Sequence, residues 1–143
     1  MTLLSRSLGI AAVTAVAAAA ACGGDGATGP TSPVGSYALS TVNGMALPAT
    51  VLSDTGFTVA ISDGSLSVQA DGKFVVGMTS TWTIEGHPSV FVAADTGTWT
   101  QAGGRLVFTY VDSTTQTGAW QRDRITVTDS TSAPVTTFVF ARR

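Results

Sequence analysis

The chain has little of what most functional sites are built from. Among its 143 residues there is one cysteine and one histidine, and only 11% of the residues are charged. A single cysteine excludes an internal disulfide framework, and a single histidine, His87, excludes a multi-histidine metal site. The isoelectric point of about 5.0 also excludes the strongly basic character that is typical of nucleic-acid-binding domains.

Signals for cofactors and for catalysis are equally sparse. No glycine-rich phosphate motif follows a strand and opens a helix, so the glycines predict turns, and no G-x-S-x-G nucleophile motif is present. His87 lies in Glu85-Gly86-His87-Pro88, which predicts an exposed turn residue. We therefore expect no cofactor, no metal ion and no catalytic residue.

One enzyme-like pattern stands against this expectation. The tripeptide Asp-Thr-Gly occurs at Asp54–Gly56 and again at Asp95–Gly97, and aspartic proteases use two such carboxylates that share one proton. The two aspartates are 41 residues apart (95 − 54), too close in sequence for two lobes of similar size. An aspartic-protease-like enzyme is the remote alternative.

No apolar run is long enough to span a bilayer as a helix. Residues Leu8 to Ala21, 14 in number (8 to 21), are apolar or small, whereas about 20 are needed. Arg6 and the absence of acids precede this run, and small residues end it, which is typical of a secretory signal peptide. We expect residues 1–21 to be removed, leaving 6 basic and 9 acidic residues in the mature chain, since the total of 7 basic residues includes Arg6.

The single cysteine directly follows this segment, in Ala19-Ala20-Ala21-Cys22. A polar stretch rich in Gly, Thr and Pro continues to residue 33, which predicts a flexible tether over residues 22–33. The junction resembles the lipobox of bacterial lipoproteins, with Ala19 where leucine is usual. That resemblance implies an acylated Cys22 as mature N-terminus and attachment to a membrane. The alternative is an ordinary signal peptide in which Cys22 has no role.

More than one acyl chain gives stable anchoring without a membrane-spanning segment. The resemblance also implies a location, because Asp directly after the cysteine retains such proteins at the inner membrane. Gly23 stands there, so we expect an exported protein that is lipid-anchored to the cell envelope, at the outer membrane where the host has two.

From Val34 to Arg143 the sequence predicts an all-β domain. No window has a helical period, and Thr, Val, Phe and Trp favour sheet. Alternating apolar residues predict about eight to ten short strands, beginning with Tyr37, Leu39 and Thr41 on one face. The predicted strands are 35–43, 57–61, 66–70, 74–84, 90–94, 97–101, 105–112, 117–121, 124–128 and 135–141.

Turn signals separate these strands: Asn43-Gly44, Asp63-Gly64, Asp71-Gly72, Gly86-His87-Pro88, Gly103-Gly104 and Arg122-Asp123. Asn-Gly and Asp-Gly supply the positive φ angles of tight hairpins. Consecutive hairpins at this spacing predict an antiparallel up-and-down barrel, in which closure removes exposed strand edges.

Three short motifs carry a family resemblance over most of residues 34–143. They are Gly35-Ser36-Tyr37-Ala38-Leu39 with Val42-Asn43-Gly44 and Leu47-Pro48, then Ala70-Asp71-Gly72-Lys73-Phe74, and the two G-x-W elements Gly97–Trp99 and Gly118–Trp120. They resemble small bacterial lipoproteins with a lipocalin-like domain. The resemblance implies an eight-stranded barrel and no particular ligand.

Six bulky side chains are the candidates for the barrel interior: Phe74, Trp82, Trp99, Phe108, Tyr110 and Trp120. Either they pack a filled core or they line a pocket for a small apolar ligand, since small eight-stranded barrels do both. A cavity above about 300 Å³ with an open mouth would favour a ligand. We therefore expect a monomeric, non-enzymatic lipoprotein domain that binds a small apolar ligand, or a structural or protein-interaction domain with a filled core.

Overall fold

The computed structural model describes residues 31–131 and 133–143. The predicted signal peptide, Cys22 and most of the predicted tether lie outside these residues. The described part of the chain contains no helix of the length and apolarity needed to cross a bilayer.

Ten strands make up the described structure: β1 Gly35–Val42, β2 Met45–Ala46, β3 Ala49–Asp54, β4 Phe57–Val68, β5 Lys73–Ile84, β6 His87–Ala102, β7 Arg105–Tyr110, β8 Thr115–Gln121, β9 Arg124–Asp129 and β10 Thr136–Arg142. From β3 to β10 each strand pairs antiparallel with its neighbour in sequence.

The sheet closes through its first strand. β1 pairs with β10 on one side and with the second half of β4 on the other, so β1 and β4 to β10 form a closed antiparallel barrel of eight strands. The predicted all-β, up-and-down, lipocalin-like barrel is confirmed. β2 and β3 are short additions that the sequence interpretation missed.

The two ends of the barrel differ, and we call them the base and the mouth. The base carries the turns 69–72, 103–104 and 122–123, together with the two ends of the described chain at Thr31 and Arg143. The mouth carries the turn at 43–44 and the connections 111–114 and 130–135. Gly72, with a φ of 83°, makes the predicted Asp71-Gly72 hairpin possible because this left-handed conformation costs glycine little.

The core fills the base of the barrel and extends along β1 to the mouth, where Val42 is fully buried. Phe74, Phe108 and Phe140 are each at most 2% exposed, and Phe74 and Phe108 meet edge to face with ring centroids 5.0 Å apart. The smaller core members are Leu39, Val42, Ala49, Ile61, Leu66, Val68, Leu106, Ile125 and Val127. The eight ring strands and this cluster all lie within the described residues.

Val42, not the predicted Thr41, follows Leu39 into this core. The register of β1 against β10 shifts between Leu39 and Thr41, and such a bulge reverses the side-chain alternation beyond it. Val42 is in consequence fully buried.

Three of the strands are longer than the ring. β4 pairs with β3 before its register shift at Ile61/Asp63 and with β1 after it. β6 pairs with β5 from His87 onward but with β7 only from Gly97 onward. The parts of β3 to β6 beyond these points, 50–54, 57–61, 79–84 and 87–96, form a projecting sheet at the mouth, which we call the arm.

Two predicted chain breaks are wrong for the same reason. Asp63 and Gly64 lie inside β4, directly after a bulge at Ser62, and residues 95–96 continue β6 without a gap. A Cβ atom on Gly64 would come within 2.9 Å of Leu39 Cδ2, and one on Gly97 within 2.7 Å of the Phe74 ring. Both glycines therefore provide space for packing inside strands, a role that glycine also has in sheets.

The turn predicted at Gly86-His87-Pro88 lies one residue earlier. Glu85 and Gly86, both with positive φ, make the turn, and His87 is the first residue of β6. His87 is exposed, as predicted.

The two ends of the described chain are fastened together at the base. Arg142 Nη1 donates to the Val34 carbonyl oxygen and Nη2 to the Ser32 carbonyl oxygen, each at 2.8 Å. The guanidinium also lies 5.0 Å above the ring of Tyr37, whose hydroxyl donates to the Pro33 carbonyl at 2.6 Å. Charged hydrogen bonds of this kind are the stronger ones, so residues 32–34 are held against the last strand.

Gly97→Ala should destabilise the barrel by about 2–3 kcal/mol, because the new methyl group would overlap the Thr109 carbonyl oxygen and the Phe74 ring. Urea unfolding followed by tryptophan fluorescence measures the loss. Gly77→Ala is the control, since its Cβ would meet the Ser65 hydroxyl at 3.2 Å and backbone only at 4.0 Å. Equal stability losses in the two variants would contradict the packing role of Gly97.

Candidate functional site

A cavity of about 610 Å³ occupies the upper half of the barrel and opens at the mouth. Its apolar wall comes from side chains that point inward on five strands: Leu66, Phe74, Val76, Met78, Phe108, Val127, Phe138 and Phe140. Ligand pockets commonly measure about 300–1,000 Å³ and are mostly apolar with a few polar groups. This cavity fits that description.

Tyr110 contributes a hydroxyl group to the wall of the cavity. Its hydroxyl donates to Gln116 Oε1 at 2.7 Å, and its ring meets Phe74 edge to face at 5.1 Å. Burial, reinforced by the negative charges of Asp95, Asp129 and Asp112, raises the pKa of Tyr110 to about 12. The phenol is therefore a neutral hydrogen-bonding group at physiological pH.

Three carboxylates also line the cavity: Asp95, Asp112 and Asp129. Asp95 faces inward because its cross-strand partner is the inward-facing Val76. The Asp112 carboxylate accepts from the Thr114 amide at 2.9 Å and from its hydroxyl at 2.6 Å, and these bonds lower its pKa.

Asp129 is held in a similar way. Its carboxylate accepts from the Thr131 amide at 2.9 Å and from the Thr131 hydroxyl at 2.6 Å. Within 31–131 and 133–143, no group of three or more His, Cys, Asp or Glu residues could hold a metal ion.

The inner face of the arm continues the apolar surface above the cavity. Trp82 lies at its centre, with the Phe57 ring 5.7 Å away on β4 and the Phe91 ring 5.2 Å away on β6. Trp82 is 40% exposed and Phe91 is 51% exposed, because no strand faces them across the barrel at this height. The arm thus offers an open aromatic surface next to the cavity entrance.

The six predicted interior residues fall into three places. Phe74, Phe108 and Tyr110 line the cavity, and Trp82 lies on the arm. Trp99 and Trp120 belong to the base, where Trp99 Nε1 donates to the Gln69 carbonyl oxygen at 2.9 Å and Trp120 packs against the core.

Sequence reasoning missed the polar part of this site. The sequence pairs Asp95 only with Asp54, as a protease-like dyad, yet the register places them at different heights, level with Val76 and Ile84, which are eight residues apart on β5. At about 3.3 Å per residue this is a separation of roughly 25 Å along the strands alone, so within one chain the two carboxylates do not share a proton. The signal that could have identified Asp95 is its alternation with Ala93 and Gly97 on the inward face.

Comparison with known proteins adds little to this geometry. No family model matches the chain, and no curated protein matches it. Among solved structures, the crystal structure of the Cpx pathway activator NlpE from Escherichia coli is similar to it, with 17% identity and a TM-score of 0.40. The match covers 57% of this chain and 40% of that chain, so this chain spans less than half the length of that protein.

The raised pKa of Tyr110 predicts a specific loss of stability in alkali. The neutral phenol contributes fully below pH 10, where the tyrosine of the unfolded chain begins to ionise, and its contribution is lost as the pH rises toward 12. Between pH 9 and pH 11.5 the wild type should lose more unfolding free energy than Tyr110→Phe, by about 1 kcal/mol once solvent screening of the partly exposed phenol is allowed for. Urea titrations at each pH measure this, and parallel pH profiles for the two proteins would contradict it.

Proposed function

We propose that this protein is a non-enzymatic envelope lipoprotein whose barrel binds a small apolar molecule in the cavity at its mouth. The observation that carries the proposal is the cavity of about 610 Å³ with apolar walls. Eight-stranded barrels can be filled by their own side chains, and the base of this barrel is filled in that way. An unfilled upper half therefore favours a ligand over the alternative of a filled structural core.

The walls describe the ligand. Phe74, Phe108 and Val127 favour an apolar body, and Tyr110 with Gln116 offers a hydrogen-bonding pair beside it. The carboxylates of Asp95, Asp112 and Asp129 give the cavity a negative potential. A neutral or cationic apolar molecule therefore fits better than a fatty acid or another anion, whose charge would be repelled.

In this proposal an acylated Cys22 is the membrane anchor. The lipobox-like junction in the sequence supports its acylation. At the barrel end of the predicted tether, the carbonyl oxygen of Ser32 accepts a hydrogen bond from Arg142. The domain is then tethered and needs no membrane-spanning segment of its own.

Ligand binding is tested with a neutral fluorescent probe, N-phenyl-1-naphthylamine, added to the purified protein. Its emission should rise on binding, and Ala93→Trp should weaken binding at least tenfold because Ala93 lines the cavity and its partner Met78 faces inward. Val92→Trp is the matched control, since Val92 points outward and is 78% exposed. The anionic probe anilinonaphthalene sulfonate should bind more weakly than the neutral one.

Native mass spectrometry of the protein purified from its host complements the probe, because a resident ligand would appear as a discrete added mass.

Probe binding that is equally strong in the Ala93→Trp and Val92→Trp variants would place the probe elsewhere and refute the cavity as the site.

Acylation is tested by metabolic labelling with a clickable fatty acid. The wild type should carry the label and Cys22→Ser should lose it, because acylation requires the thiol. Gly23→Ser is the control that alters the neighbouring position and keeps the thiol, and it should remain labelled. Label that persists in Cys22→Ser would show that Cys22 is not the acylated residue.

A further inference from the structure

The basic residues of the described chain all lie at the base. Three flank its turns and two occur at the end of the chain, with one more inside a turn; they are Lys73, Arg105, Arg122, Arg124, Arg142 and Arg143. All but Arg142 are exposed. Only two acidic side chains, Asp71 and Asp123, accompany them there.

The remaining acidic residues of the described chain lie in the other half, on the arm and around the mouth: Asp54, Asp63, Glu85, Asp95, Asp112 and Asp129. No lysine or arginine among the described residues accompanies them there. The barrel is thus positive at one end and negative at the other, although the whole chain has a net charge of only −2.

The chain that leads back to Cys22 leaves from the positive end. Arg142 binds the carbonyl oxygens of Ser32 and Val34 at 2.8 Å, which fixes the point of departure beside the basic residues. The 11 residues from Cys22 to Ser32 (22 to 32) reach at most about 40 Å when fully extended. A lipid on Cys22 would therefore hold the base within about 40 Å of the bilayer, and the charge of the two ends decides which one faces it.

We propose that the base of the barrel rests on anionic phospholipid headgroups, with the mouth and the arm directed away from the bilayer. The orientation rests on the proposed function, because it takes Cys22 as the anchor. Anionic bilayers attract basic protein segments within a Debye length, about 8–10 Å at physiological salt. The acidic mouth is repelled by the same surface, so both ends of the barrel favour this orientation.

The orientation gives the cavity a definite source of ligand. With the mouth directed away from the bilayer, the ligand enters from the aqueous side or from a partner on that side, and does not diffuse in directly from the lipid. The arm, with Trp82 and Phe91 exposed, is then the part of the molecule that extends furthest from the membrane.

The test uses the unacylated chain 23–143, which contains all ten described strands and the core cluster, and measures its sedimentation with vesicles at low ionic strength. Vesicles with about one-third phosphatidylglycerol should bind it, and vesicles of phosphatidylcholine alone should not. Replacing three exposed basic residues, Lys73→Gln with Arg105→Gln and Arg124→Gln, should reduce binding by about 100-fold, since each contributes about fivefold.

The matched control makes the same change in net charge at the opposite end. Ser53→Asp with Thr55→Asp and Ser89→Asp adds three negative charges at exposed positions of the arm and leaves the base unchanged. The proposal holds if the base variant loses at least five times more binding than the arm variant, and fails if it does not. It also fails if the wild type binds both kinds of vesicle equally.

The result does not depend on Cys22. A wild type that carries no fatty-acid label would refute the anchor and leave vesicle binding by the base unchanged. Absence of vesicle binding would refute the basic contact and leave labelling of Cys22 unchanged.

Discussion

The strands of the β5–β6 hairpin are longer than the other strands of the ring, and the shape of the mouth depends on this difference. β5 and β6 pair over twelve residues each, whereas β7 covers β6 only from Gly97 onward. Because β7 does not pair with β6 before Gly97, the barrel wall has a gap beside the first part of β6, and the interior is open there. The cavity, its mouth and the exposed aromatic face of the arm all follow from this mismatch, because the core residues are too few to fill the volume above the ring.

The closed base and the open mouth divide the chemistry between them. At the base, Trp99 donates to a backbone carbonyl and Arg142 binds the entering chain, so polar groups there serve the fold. At the mouth, Asp112 and Asp129 cap their own turns, which leaves the cavity wall apolar and its rim negative. The turns and connections at each end of the barrel therefore also carry the charged side chains that determine the electrostatic potential there.

Much of the fold could be predicted from the sequence, because alternation identifies which residues share a strand face and Asn-Gly or Asp-Gly marks hairpins. Gly64 and Gly97 show where this fails: glycine marks a turn when its φ is positive and close packing when it is not, and the sequence does not distinguish the two. β3 was missed because its Val51 and Leu52 are interrupted by a register shift. Of the site, the aromatic wall was predictable in kind, whereas Asp95 depended on a cross-strand register set by the whole sheet.

β1, the strand that closes the barrel, pairs with one strand that is near it in the sequence and with one that is far from it. β1 meets β4 about 30 residues later and β10 about 100 residues later, and contacts of such separation form slowly because of the entropy of closing long loops. In a chain made from its N-terminus, Arg142 can reach Val34 only after β10 has been synthesised. Until then the nascent molecule is an open sheet with two exposed edges, which are open to pairing with other chains and to aggregation.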